Sequence, residues 1–159
     1  TSRVADAITN AGNQSLFSNV NSSGTLYAEI AANSDDGTYR IICLNNGSDD
    51  RVSIQYRSDA NTIGMYIREG VSIQAFETYT ITDTTEFSKI AVRWAVNDFS
   101  LWIDGSEVAT DVSGSVFSAN TMDRLDFYDV GGTYPFYGKT KQVAVYNYLT
   151  DAQMITLTT

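Results

Sequence analysis

Arg93, Trp102 and Glu107 are the residues of this sequence whose types suit sugar recognition most directly. Sugars offer C–H faces that stack on aromatic rings, and hydroxyls that hydrogen-bond to charged or amide side chains. Tyr66 and Arg68 repeat the same pairing of ring and cation. The five would form one binding surface if their strands were neighbours. The opposing reading is that Trp102 is capped by a loop and Arg93 merely stacks on it.

Other chemistries are narrower. The sequence contains no histidine, which removes Ser-His-Asp and Cys-His catalysis and His-ligated zinc. Its one cysteine, Cys43, lies between Ile42 and Leu44 and reads as a small buried hydrophobe. Asp123, Asp126 and Asp129 are spaced by three, which alternates faces on a strand and scatters the carboxylates. Asp35, Asp36, Asp49 and Asp50 fall in loops, where they are candidate Ca²⁺ ligands or simply solvated turn residues. No cofactor is required by any of these motifs.

The elements that must position these residues follow a period of two. In Lys89 to Thr110, KIAVRWAVNDFSLWIDGSEVAT, Ile90, Val92, Trp94 and Val96 form one face, continued by Phe99, Leu101 and Ile103. Two-residue loops at Asn97-Asp98 and Asp104-Gly105 predict Trp94 opposite Leu101, Arg93 opposite Trp102, Trp102 opposite Glu107 and Leu101 opposite Val108. Gly24 to Ala32 predicts the first strand. Thr38 to Asn45 is apolar on both faces; Tyr39, Ile41 and Cys43 are preferred as its inward set over Arg40, Ile42 and Leu44, with a four-residue loop pairing Ile41 with Ile54. The next hairpin places Ile54 against Met65 and Val52 against Ile67, leaving Arg51, Gln55, Arg57, Tyr66 and Arg68 on its outer face. A three-residue Glu69-Gly70-Val71 loop then predicts Ile67 against Ile73. Residues 1–23 read as an irregular lead-in whose Val4, Ile8, Leu16, Phe17 and Val20 cover one edge, with a weak helical signal at Arg3 to Thr9. Val116 and Phe117 are expected to plug a long loop. Thr150-Asp151-Ala152-Gln153 matches a capping box, with Leu149 and Met154 as its hydrophobic staple, and predicts a short C-terminal helix.

At 159 residues the chain reads as one domain, 1–159, able to bury about 70% of its unfolded surface without disulfides. Its apolar share of 43% and charged share of 18% describe a globular chain, and its ten Tyr and many Thr, Ser and Val favour all-β structure. The net charge of −9 argues against a nucleic-acid partner, whereas a neutral glycan feels no such repulsion. No apolar run approaches the ~20 residues of a membrane span. No signal peptide precedes Thr1, and the absence of an initiator Met suggests part of a longer protein.

Three segments resemble the laminin-G-like, concanavalin-A-like lectin/glucanase jelly rolls: GTLYAEIAA, FSLWIDGSEVAT and PFYGKTKQVAVYNYLTDAQMITL. Together they span roughly residues 24 to 157. The resemblance implies an all-β, two-sheet antiparallel β-sandwich (jelly roll) with a short C-terminal helix. It leaves function open, since lectins, glycosidases, lyases and adhesive spacers share the fold. Glucanases of this fold carry a Glu-x-Asp-x-x-Glu strand for acid/base work. Here the residues two beyond Glu29, Glu69, Glu77, Glu86 and Glu107 are Ala31, Val71, Tyr79, Ser88 and Ala109, so the signature is absent. The overall flavour is similar to domains of phage tail and fibre proteins. The expectation is therefore a non-catalytic glycan- or receptor-binding module of a larger, oligomeric, extracellular or virion-associated protein. The alternatives are a structural spacer and a divergent glycan-cleaving enzyme.

Overall fold

The computed structural model describes residues 8–159; the helical signal at Arg3 to Thr9 and Val4 lie essentially outside the described residues. Alternating apolar positions fold into ten strands among them: β1 (Ser23–Ala32), β2 (Arg40–Asn45), β3 (Arg51–Tyr56), β4 (Thr62–Glu69), β5 (Ser72–Thr80), β6 (Ser88–Ala95), β7 (Asp98–Ile103), β8 (Ser106–Asp111), β9 (Arg124–Asp126) and β10 (Gly138–Tyr146). They pair antiparallel into two five-stranded sheets, ordered β10-β1-β6-β7-β8 and β5-β4-β3-β2-β9. The sheets stack with Leu26, Ile42, Ile54, Met65, Val92, Trp94, Phe99 and Leu101 between them, the sandwich that the alternation predicts.

Register decides which side chains leave this core. Trp94 lies opposite Phe99 and Val92 opposite Leu101, because the β6–β7 loop is Val96-Asn97, not Asn97-Asp98. Asn97 takes the positive φ of 56° that the turn demands. The shift moves each partner by two residues, so the inward face is preserved while Val96 is left exposed in the turn. Arg93 consequently faces Ser100, not Trp102. Asp104 and Gly105 have φ of 47° and 82°, and Trp102 pairs with Glu107 as the turn requires. A bulge between Leu101 and Trp102 sets Leu101 against Ala109 instead of Val108.

The first sheet connection also corrects the expected faces. The β2–β3 loop holds five residues, Asn46 to Asp50, so Ile42 and not Ile41 faces Ile54. One extra loop residue inverts the strand: Ile42 and Leu44 enter the core, while Ile41 and Cys43 lie on the outer face, buried there by later segments. Ile54 against Met65 and Val52 against Ile67 hold as expected. Beyond them a two-residue Gly70-Val71 loop and a bulge between Ile67 and Arg68 bring Ile67 against Ala75, leaving Ile73 exposed.

Lead-in and loop seal the sandwich rim. Phe17 and Val20 are buried, Leu16 instead points to solvent, and Phe117 and Met122 close the loop, with Val116 packed against the core. Asn21 staples the two segments: its Oδ1 accepts from the Thr121 and Met122 backbone N–H groups at 2.8 Å each. The helix α1 (Asp151–Thr158) starts where the capping box predicts, with Thr150 and Gln153 satisfying each other's backbone N–H.

Candidate functional site

The expected row on the β6–β7–β8 face exists as a set of contacts but is sealed. Helix α1 lays Met154 and Leu157 on Tyr27, Ala91 and Trp102, with Leu149 closing the same cluster. Trp102 is only 4% exposed, and its indole Nε1–H donates to Ser100 Oγ at 2.9 Å. Arg93, equally buried, is consumed within the fold. Its guanidinium lies 2.6 Å from Asp151, 3.6 Å from Asp98 and 3.7 Å from Glu107. It also donates to the Leu149 carbonyl and lies over the Trp102 and Tyr148 rings at 5.9 and 5.0 Å. These contacts dock a helix on a sheet, and Trp102 keeps no ring face for a ligand. Tyr66 and Arg68 belong to the other sheet, so the five residues do not share a surface.

The outer face of β2, β3 and β4 is different. There a groove of about 250 Å³ has Ile41 and Gln55, cross-strand partners, among its lining residues. Around it rings and cations alternate. Tyr134 packs on Tyr39 with centroids 5.3 Å apart. Arg57 lies over Tyr39 at 4.7 Å and over Phe76 at 4.8 Å. Tyr66 meets Phe76 edge-on at 6.0 Å, and Arg51 lies over Tyr66 at 5.1 Å. Arg51 Nε comes within 3.2 Å of Asp129 Oδ1, but the two are not aligned as a hydrogen bond, and both atoms are buried. Period-two alternation places Gln55 and Arg57 on this face, and the rings come from four more segments: the approach to β2 (Tyr39), β4 (Tyr66), β5 (Phe76) and the β9–β10 loop (Tyr134). Tyr134 holds φ of +50° immediately before Pro135, a conformation disfavoured for an aromatic and doubly so before proline. Its carbonyl accepts from the Ile41 N–H at 3.2 Å, which anchors the loop beside the groove.

Arg57 is the chemically distinctive member. Arg40, Arg51, Arg68, Arg93 and Arg124 each meet a carboxylate, whereas among the described residues none pairs with Arg57. Its Nη1–H donates to Gln55 Oε1 at 2.7 Å. A guanidinium held between two rings without a counter-ion is a waiting partner for an anionic or polyhydroxylated ligand. Arg68, close by, is tied to Asp49 at 3.1 Å and to the Gly70 carbonyl.

A larger cleft of about 640 Å³ runs along the sandwich edge past Tyr79, Phe87, Asp83, Glu86 and Asp104. Its charges are carboxylates without an arginine among the lining residues, so it offers an anion nothing. The loop carboxylates considered for Ca²⁺ are engaged within the fold. Asp35 accepts from the Asn61 N–H, Asp36 pairs with Arg40, Asp49 with Arg68, and Asp50 accepts from the Gly70 N–H. Among the described residues no three His, Cys, Asp or Glu side chains gather as metal ligands. Asp126 is buried against Asn45 and the Asn10 N–H, while Asp129 and Asp123 turn to Arg51 and Arg124.

A family model described as the concanavalin A-like lectin/glucanases superfamily matches residues 5–156. No curated protein matches the sequence. Among solved structures, the leech intramolecular trans-sialidase complexed with 2,7-anhydro-Neu5Ac superposes with a TM-score of 0.76 at 18% identity, covering 97% of this chain and 26% of that one. The Ruminococcus gnavus IT-sialidase CBM40 bound to α2,3 sialyllactose gives 0.74 at 15% identity, over 99% of this chain and 97% of that one. Mouse laminin α1 domains LG4-5 give 0.65 at 12% identity, over 90% and 40%. At these identities the likeness is one of fold.

Proposed function

The chain belongs to the concanavalin A-like lectin/glucanases superfamily, and on that footing we propose that it is a non-catalytic carbohydrate-binding module whose groove on β2–β4 takes carboxylate-bearing, sialylated glycans. The observation that carries this reading is Arg57, stacked between Tyr39 and Phe76 with no carboxylate partner among the described residues. A sialic acid brings a planar carboxylate for the guanidinium and a glycerol chain and ring hydroxyls for the tyrosines. The sialyllactose bound by the R. gnavus module supports the same ligand class. This recognition uses Arg57 and the rings alone, and the loop carboxylates Asp35, Asp36, Asp49 and Asp50 each already have a backbone N–H or arginine partner.

An extracellular setting is in keeping with the sialyllactose bound by the R. gnavus module. The finer placement in a virion fibre is supported only by the flavour of the sequence, and mass spectrometry of purified virions tests it. Among the described residues no helix is long and apolar enough to cross a membrane.

Glycan-array screening and calorimetry with 3′-sialyllactose and lactose test the ligand. Sialyllactose binds, lactose binds at least tenfold more weakly, EDTA leaves both unchanged, and a reducing-sugar assay detects no product. Arg57→Ala lowers sialyllactose affinity at least tenfold, as expected for a lost charge-assisted contact. Equal binding of the two sugars, or of wild type and Arg57→Ala, refutes the reading.

A further inference from the structure

Arg57 does not hold its place by itself. Three polar side chains, two on the outer face of β3 and the third one residue past its end, form a relay: Ser53 Oγ–H donates to the Tyr66 carbonyl at 3.4 Å, Gln55 Nε2–H donates to Ser53 Oγ at 2.9 Å, and Arg57 Nη1–H donates to Gln55 Oε1 at 2.7 Å. Ser53 and Gln55 are buried, 0% and 4% exposed. Each donor in this relay has one acceptor, so the direction of the chain fixes the Gln55 amide with its oxygen toward the arginine. Gly64, the cross-strand partner of Gln55, supplies the space. A Cβ there would come within 3.3 Å of Arg57 Cδ and 3.4 Å of the Glu77 carbonyl, so its absence lets the arginine stem lie flat across the sheet.

We propose that Gln55 is the specificity-determining residue of this groove, a neutral acceptor that aims the Arg57 guanidinium while leaving its charge unneutralised for the ligand carboxylate. The inference rests on the groove being the glycan site. A carboxylate in place of the amide would occupy the same space, accept the same Arg57 hydrogen bond and form an ion pair, as Asp151 does with Arg93 on the other sheet. Residue 55 thereby separates an arginine that recognises anions from one that merely braces the fold. Ser53 acts one step behind, as a positioning residue for the amide.

The test compares Gln55→Glu, Gln55→Met and Arg57→Ala with wild type by calorimetry against 3′-sialyllactose and lactose, with thermal melts reporting the fold. Gln55→Met removes the acceptor without adding charge and weakens sialyllactose binding a few-fold, keeping the preference over lactose. Gln55→Glu keeps the acceptor and neutralises the arginine, so sialyllactose affinity falls more than tenfold and the preference over lactose disappears, while the melt stays near that of wild type. If wild type and Arg57→Ala differ as expected but Gln55→Glu retains the sialyllactose preference within twofold, the role of Gln55 is refuted and the glycan site stands. If wild type itself does not prefer sialyllactose, the glycan reading fails and this inference with it. Should Gln55→Glu melt early, the salt dependence of sialyllactose binding by Gln55→Met decides: a slope unlike that of wild type shows that the amide does not govern the charge alone and overturns the proposal.

Discussion

Two arginines of this protein are stacked on aromatic rings from the outer face of a strand, and they do opposite things. Arg93 meets Trp102 and Tyr148, Arg57 meets Tyr39 and Phe76, and the ring distances are of the same order. What separates them is the company of carboxylates, three within 4 Å of Arg93 and, among the described residues, none at Arg57. Asp36 shows the same logic from the acid's side. Its carboxylate accepts from Ser34 Oγ at 2.7 Å, from the Thr38 N–H at 3.0 Å and from Arg40 at 2.9 Å. These hydrogen bonds, that from Ser34 foremost, hold its carboxyl well below the ordinary value. A depressed folded-state pKa stabilises the fold in full at any pH above the unfolded value near 4, and that contribution is lost progressively as pH falls from there through the lower folded value. Asp36→Asn therefore lowers the urea midpoint at pH 7, and the gap to wild type closes as pH is taken from about 4 toward 2. A gap that stays constant over that range shows the Asp36 contacts to be unlinked to protonation.

At the scale of elements, helix α1 decides which sheet face is free. The capping box Thr150–Gln153 starts it, Met154 anchors it, and Tyr27, Ala91 and Trp102 lie beneath. Removing the cap with Thr150→Ala costs about 0.5–2 kcal/mol, and Trp102→Ala, which empties a buried site, costs about 3–5 kcal/mol. Because this cluster and the groove lie on opposite sheets, both variants lower the urea midpoint while calorimetry on the folded protein returns the wild-type sialyllactose affinity. Loss of binding in folded Trp102→Ala would return the site to the helix side. The helix itself was readable in the sequence, since caps are local. So were the faces of β3, β4, β6 and β7, since period two survives a register shift of two residues. The covering of Trp102 was not readable, because a helix 50 residues away in sequence supplies it. Strand β2 was misread for a related reason: apolar residues on both faces remove the alternation, and the number of loop residues then decides the face alone. The groove was half visible. Arg51, Gln55, Arg57 and Tyr66 follow from the β3–β4 hairpin, and Phe76 enters through the β4–β5 hairpin, whose bulge sets it opposite Tyr66. Tyr39 depended on the misread face of β2, and Asp129 and Tyr134 come from a loop distant in sequence that no local pattern places there.

The whole molecule carries three natural reporters in three layers. Trp94 is buried between the sheets with its Nε1–H on the Val20 carbonyl at 3.1 Å, and Trp102 lies between one sheet and α1. Cys43 lies fully buried on the outer face of the opposite sheet, where burial pushes its thiol well above the ordinary value and leaves no thiolate to react. Within the first sheet β1 pairs with both β10 and β6, and the Asn21 side chain holds the lead-in that accepts from Trp94 to the 121–122 loop, which leads into β9 of the other sheet. A chain of this size with one continuous core between its sheets is expected to unfold in a single step. In Trp102→Phe, whose fluorescence follows Trp94 alone, fluorescence and the rate of Cys43 labelling by a thiol reagent should then share one urea midpoint, and in wild type the same two probes should share another. Labelling stays negligible in buffer at pH 8 and rises only with global unfolding. Cys43 labelling at lower urea than the Trp94 transition would show that the segments covering the groove sheet open on their own, making the face that holds Arg57 a separately mobile layer.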